Sequence, residues 1–109
     1  MKKISMALVV LFSAALMIGC GSDKAELAFK NGDAENLNNI VWEAENKVWN
    51  NGWYASGQTT ESKEVSDLNS SVVAEWDGGV GTVAAYFPET NSSSLSLSPG
   101  ESYVYTIQH

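Results

Sequence analysis

From residue 26 onward, apolar and polar positions alternate with a period of two, and turn residues punctuate the alternation. Leu27 and Phe29 share one face of a predicted strand at 26–30. Asn31-Gly32-Asp33 ends it, since Asn-Gly accepts the positive backbone angles of a tight turn. Ile40, Trp42 and Ala44 align over 39–44. A short run at 47–50 carries Trp49, Asn51-Gly52 turns the chain, and Trp53-Tyr54 follows. Ser56-Gly57-Gln58 is the next turn. Residues 60–66 alternate but are polar, which suits a sheet edge facing water. Val72, Ala74 and Trp76 align over 71–76, and Asp77-Gly78-Gly79 turns. Val83, Ala85 and Phe87 align over 81–87, and Pro88, which has no N–H for a ladder, closes that run. After a polar loop at 90–94, Leu95 and Leu97 share a face. Pro99-Gly100 turns, and Tyr103, Tyr105 and Ile107 align over 102–107.

Seven or eight short strands with turns every ~8–12 residues predict an all-β fold, a sandwich or barrel. A helix over 34–49 is the competing reading. Asn36, Asn38, Asn39 and Asn46 oppose it, because asparagine side chains compete for helical backbone bonds.

The first twenty residues follow another pattern. Lys2 and Lys3 precede an apolar run at 4–18, which ends in Gly19 and Cys20. This run of fifteen residues, two of them serine, falls short of the roughly 20 that a spanning helix needs. A positive start, a short apolar stretch and a small residue at its end make a secretory signal. Leu16-Met17-Ile18-Gly19-Cys20 resembles the lipobox of bacterial lipoproteins, with Met17 where that family favours leucine. The resemblance implies cleavage between Gly19 and Cys20 and diacylglycerol on the Cys20 thiol. Attachment to a membrane of the bacterial cell envelope follows, because two or more acyl chains anchor stably where one does not. Gly21, rather than aspartate, follows Cys20; in enteric bacteria this implies the outer membrane. The expected organisation is a helical signal peptide at 1–19, a lipidated cysteine with a polar tether at 20–25, and a β domain at 26–109.

A second resemblance covers nearly the whole mature chain. Phe29-Lys30-Asn31 closes the opening strand, and Ile40-Val41-Trp42 follows with Trp49 nearby. Gly57-Gln58-Thr59 turns after Ser56, where a proline is usual, and the chain ends in Leu95-Ser96-Leu97-Ser98-Pro99-Gly100-Glu101-Ser102-Tyr103-Val104-Tyr105-Thr106-Ile107. This rhythm resembles small Ig-like β-sandwich domains of bacterial lipoproteins. It implies an antiparallel sandwich of about seven strands and carries no catalytic motif.

Composition narrows the function. The 90 residues after Gly19 hold four lysines, no arginine and 13 acids, a net charge of −9. That repels nucleic acid and anionic headgroups. Cys20 is the only cysteine, so no disulfide can brace the domain. His109 is the only histidine and the last residue, a poor place for the ordered imidazole of a catalytic triad. With the thiol consumed by lipid, a tetrahedral zinc site lacks ligands. Glu43 and Glu45 on one strand face, and Glu61 and Glu64 on opposite faces, read as solvated surface rather than a glycosidase pair. Asp77-Gly78-Gly79 lacks the alternating acids of a calcium loop and reads as a turn.

The remaining signal is aromatic. Trp42 and Trp76 sit on apolar faces and read as core. Trp49, Trp53 and Tyr54 cluster around the Asn50-Asn51-Gly52 turn, where rings beside amides suit contact with an envelope protein or a glycan. The competing reading folds the tryptophans back to cap the sandwich. The expectation is therefore a lipid-anchored, non-catalytic binding or assembly module without metal or cofactor. The alternative is an inhibitor of a hydrolase, using 50–54 or 77–81 as a plug. Cys20→Ala should release the protein from the membrane fraction and leave it uncleaved; unchanged membrane retention in fractionation and mass spectrometry would overturn the lipid anchor.

Overall fold

The alternating segments form eight strands: β1 Ala25–Asn31, β2 Leu37–Trp42, β3 Lys47–Trp49, β4 Lys63–Val65, β5 Asn69–Trp76, β6 Thr82–Ala84, β7 Ser94–Ser96 and β8 Ser102–Ile107. This computed structural model describes residues 23–79 and 81–109. The expected signal helix, the Gly19–Cys20 cleavage site and the lipidated cysteine lie outside the described residues.

The strands make an all-β sandwich. One sheet runs β4-β1-β8; the other runs β3-β2-β5-β6, with β7 paired to β5 beside β6. Every pairing is antiparallel except one. β1 and β8 run parallel, from Glu26 against Ser102 to Asn31 against Ile107. The antiparallel expectation failed here because hairpin turns set strand direction only between sequence neighbours. β1 and β8 come from opposite ends of the chain, and the rest of the domain serves as their crossover.

Both inner faces follow the period-two pattern. Leu27 and Phe29 face Ile40, Trp42, Val72, Ala74 and Trp76, and Phe87, Leu95, Leu97 and Ile107 complete the core. Phe29 packs edge-on to Trp49 with centroids 5.0 Å apart. Leu37 is also fully buried, although it lies three residues before Ile40. Strict alternation forbids this. A bulge between Leu37 and Asn39 absorbs the extra residue and returns both side chains to the core.

Ala44 departs from the expected face. Residues Glu43–Glu45 form a single 3-10 turn, closed by Asn46 in the left-handed conformation at φ 55°. The chain reverses there, so Ala44 is exposed. Asparagine tolerates that conformation better than most residues. Glu43 and Glu45 therefore leave the strand: Glu43 accepts the Ser71 hydroxyl at 2.6 Å, and Glu45 accepts the Ser66 N–H at 2.7 Å. The predicted strand at 81–87 is also shorter. After β6 the chain leaves the larger sheet, and Tyr86 pairs with Gln108 beyond β8 in the smaller one.

That crossover seals one side of the sandwich. On the opposite side, Tyr54 pairs with Leu37, and Gln58 and Thr60 then bond to Asn31 and Phe29 of β1. Lys47 Nζ also reaches the Glu64 carbonyl at 2.6 Å, joining the edge strands β3 and β4. Edges that would otherwise offer free N–H and C=O groups are tied to the neighbouring sheet. Glu89 covers part of the β8 edge by accepting the Thr106 N–H at 2.9 Å. Burial pushes the Glu89 carboxyl up, but the Thr106 N–H, its own N–H and the Thr106 hydroxyl outweigh that and hold it below its ordinary value.

Three tryptophans are buried, and each indole N–H is satisfied. Trp42 donates to the Asp67 carbonyl at 2.9 Å, Trp49 to the Glu61 carbonyl at 3.1 Å, and Trp76 to Asn31 Oδ1 at 3.3 Å. Each buried indole removes enough surface from water to contribute about 4–6 kcal/mol by area, as an upper bound. That burial compensates for the missing disulfides.

Asn31 is the polar centre of this core, at 1 % exposure. Its amide donates to the carbonyls of Glu35 at 2.7 Å and Tyr54 at 2.9 Å. Its Oδ1 accepts the Asp33 N–H as well as the Trp76 indole. Its backbone N–H and C=O bond to Gln58 and Gly57. Asn31→Ala should cost about 2–4 kcal/mol, because it strands these buried groups without water. Asn31→Asp should cost at least as much, since a carboxylate has no N–H for the two carbonyls. Urea unfolding of each variant measures the effect, and a loss under about 1 kcal/mol would contradict it.

Candidate binding site at the far pole

Register places the loops at two poles. Gly100 donates to the Lys24 carbonyl, Ala25 pairs with Val65, and the Trp42 indole reaches Asp67. These contacts define a near pole, where the described residues begin. Seven residues of β1 then carry it roughly 20 Å to the far pole. There Asn31 meets Ile107 and Gly57, Leu37 meets Tyr54 and Trp76, and Asp77 donates to the Asn36 carbonyl. The 31–36 loop, the 53–58 segment, the turn at 77–79 and the chain end thus share one pole.

The three aromatic candidates separate sharply. Trp49 is fully buried in the core, and Tyr54 is 3 % exposed. Neither side chain can form a contact surface, because each completes the interior of a small domain. Trp53 lies between them in sequence and is 62 % exposed. Alternation explains the split: Tyr54 turns inward as it pairs with Leu37, so its neighbour turns outward. Gly52 holds φ 84° and reverses the chain just before Trp53.

A second feature, absent from the sequence-based expectations, is a cleft of about 240 Å³. Buried Trp76 and half-buried Val83 give it an apolar floor, and Glu35, His109 and the glycines at 78, 79 and 81 complete its lining. The Asp77 carboxylate accepts the Asn38 amide at 2.6 Å and the Asn36 amide at 3.4 Å, which fixes the turn beside the 31–36 loop. Gly78 has φ 73°, and a Cβ there would stand 3.2 Å from Glu35 Oε2.

His109 is held rather than frayed. Its N–H donates to Asp33 Oδ2 at 2.9 Å. Its Nε2 lies 2.9 Å from Glu35 Oε1 and 3.5 Å from Asp33 Oδ2, and its ring packs on Trp76 with centroids 4.4 Å apart. Sequence alone gave no signal for this arrangement, because Asp33 and Glu35 are some 75 residues away. Asp33 is itself oriented by its N–H bond to Asn31 Oδ1, which links the buried amide to the partner of His109. The cleft offers an apolar floor and an acidic rim, a combination suited to recognition. Among the described residues, no group of three His, Cys, Asp or Glu side chains is arranged to hold a metal ion.

The remaining acids considered from sequence do not converge on this cleft. Glu61 accepts the Tyr54 hydroxyl at 2.9 Å, and Glu64 pairs with Lys24 at 3.6 Å at the near pole. Burial, then the hydrogen bond and the charge of Glu61, push the Tyr54 hydroxyl up to about 12, against a small lowering from the Asn51 backbone.

A tyrosine raised in the folded state stabilises the fold fully below its unfolded value near ~10, and that contribution is lost as pH rises through the folded value. Tyrosinate absorbance should therefore show a group ionising near pH 12, absent in Tyr54→Phe and shifted downward in Glu61→Gln. Ionisation of Tyr54 at ordinary pH would contradict the buried Tyr54–Glu61 bond. No protein-family model, curated protein or solved structure matches this chain.

Proposed function

We propose that this chain is a bacterial lipoprotein, cleaved at Gly19 and lipidated at Cys20, whose β-sandwich is a non-catalytic binding or assembly module of the cell envelope. The outer membrane is the proposed site in a Gram-negative host. The observation that carries this reading is the polarity of the domain. The described chain begins at the near pole, at residue 23, whereas exposed Trp53 and the cleft lie at the far pole. A membrane anchor on Cys20 would hold the first pole against the bilayer and present the second to a partner.

Trp53 is the contact residue of this proposal. An exposed tryptophan on an ordered turn loses little conformational freedom on binding, and tryptophan is enriched where interfaces concentrate their energy. Asn50 and Asn51 beside it are exposed and add amides that suit a protein or glycan surface. Trp49 and Tyr54 support the turn from within.

The test is capture from native envelopes by the lipidated protein, followed by mass spectrometry. Trp53→Ala should weaken partner capture by at least about 30-fold, equivalent to ~2 kcal/mol. It should change unfolding stability by less than about 0.5 kcal/mol, because the side chain is exposed. Equal capture by parent and variant would remove Trp53 from the surface. Capture of a hydrolase together with loss of its activity would instead support the inhibitor reading, in which this turn is the plug.

A further inference from the structure

We propose that the far-pole cleft receives the side chain of an arginine or lysine from a basic segment of a partner protein. This rests on reading the domain as a binding module and specifies which partner chemistry it selects. At about 240 Å³ the cleft is smaller than the roughly 300 Å³ at which small-molecule pockets begin, so it takes one long side chain rather than an extended ligand.

The floor suits the stem of such a side chain. Trp76 and Val83 supply apolar surface, and the lining glycines at 78, 79 and 81 have no side chains to occupy the space. Gly81 holds φ 104°, and nothing lies within 4 Å of where its Cβ would be. Arginine and lysine carry apolar stems that pack on such surfaces while the charged head stays at a polar rim.

The rim suits the head. Glu35 and Asp33 both lie within 3.5 Å of the His109 imidazole. Glu35 is the carboxylate that lines the cleft, and Asp33, against His109, adds a second acidic group nearby. Among the described residues, no lysine lines the cleft. Lys47 and Lys63 contact the Glu64 carbonyl and Glu61, and Lys30 pairs with Thr106 on the other sheet. The chain as a whole carries a net charge of −7 and reinforces this local field. An anion would meet like charge at the rim. A neutral apolar group would cover the carboxylates and strip their water without a counter-charge. A guanidinium or ammonium group meets neither penalty, and Glu35 can accept an arginine head through two oxygens.

The test uses the full chain in zwitterionic micelles, observed by NMR through the indole N–H signal of Trp76 and the ring signals of His109. The probes are a blocked alanine pentapeptide with arginine at its centre and the same peptide with citrulline, its neutral near-isostere. The arginine peptide should shift these signals saturably and bind at least about tenfold more tightly than the citrulline peptide, an advantage that falls with added salt. Glu35→Gln keeps the shape and the hydrogen bond to His109. It should remove most of the arginine preference while leaving the spectrum of the fold intact. Equal binding of both peptides, no shift at Trp76 and His109, or an unchanged preference in Glu35→Gln would overturn the proposal. Trp53-dependent envelope capture beside a silent cleft would overturn the cleft assignment alone. A charge-selective cleft in a chain whose Trp53→Ala variant captures its partners fully would support the cleft and overturn the Trp53 surface alone.

Discussion

The buried amide of Asn31 is the interaction on which the rest of this structure depends. A small all-β domain without disulfides has little apolar area to spare for a polar group in its core. This one places a primary amide there and uses every hydrogen-bonding position it has. The four partners belong to the 31–36 loop, the segment after β3 and the end of β5. One side chain thereby ties together three chain segments that meet around Leu37. The penalty for leaving any of these groups unpaired in a dry interior is what makes the arrangement specific. Through Asp33 the same amide is linked to His109.

Around that centre, the domain closes its sides rather than leaving them to solvent. The 54–60 segment binds strands of both sheets, and so does the stretch from Val83 to Tyr86. The tryptophans serve the same end. Each buried indole fills the interior with its body and ties down a distant backbone carbonyl or amide with its N–H. Core packing and loop order are thus one set of interactions. The described residues of the far pole come almost wholly from loops held by these bonds.

Much of this fold was legible in the alternation of residues. Val72, Ala74 and Trp76 lie on one buried face, as their spacing predicts, and residues 60–66 supply an edge strand. What escaped did so for identifiable reasons. Leu37 breaks the period because a bulge follows it, and Ala44 keeps the period but falls in a turn set by the left-handed Asn46. Asn31 was visible as the end of a strand, whereas its four side-chain bonds depend on residues up to 45 positions away. The candidate aromatics were found as a cluster, yet only Trp53 faces outward, since a turn hides which parity the next residues adopt. The cleft was invisible because its lining joins residue 109 to residue 35 and to the 76–83 stretch.

The parallel pairing of β1 with β8 has a mechanical consequence. A pull on the chain from its N-terminal side, with the far pole held, acts along the axis of β1. That strand lies between β4 and β8, paired with β4 over residues 25–27 and with β8 over residues 26–31. Force in this direction slides β1 past its neighbours, so the ladder bonds bear it together instead of opening one after another. The first strand is in this sense a shear joint, placed where a tether would transmit load into the domain.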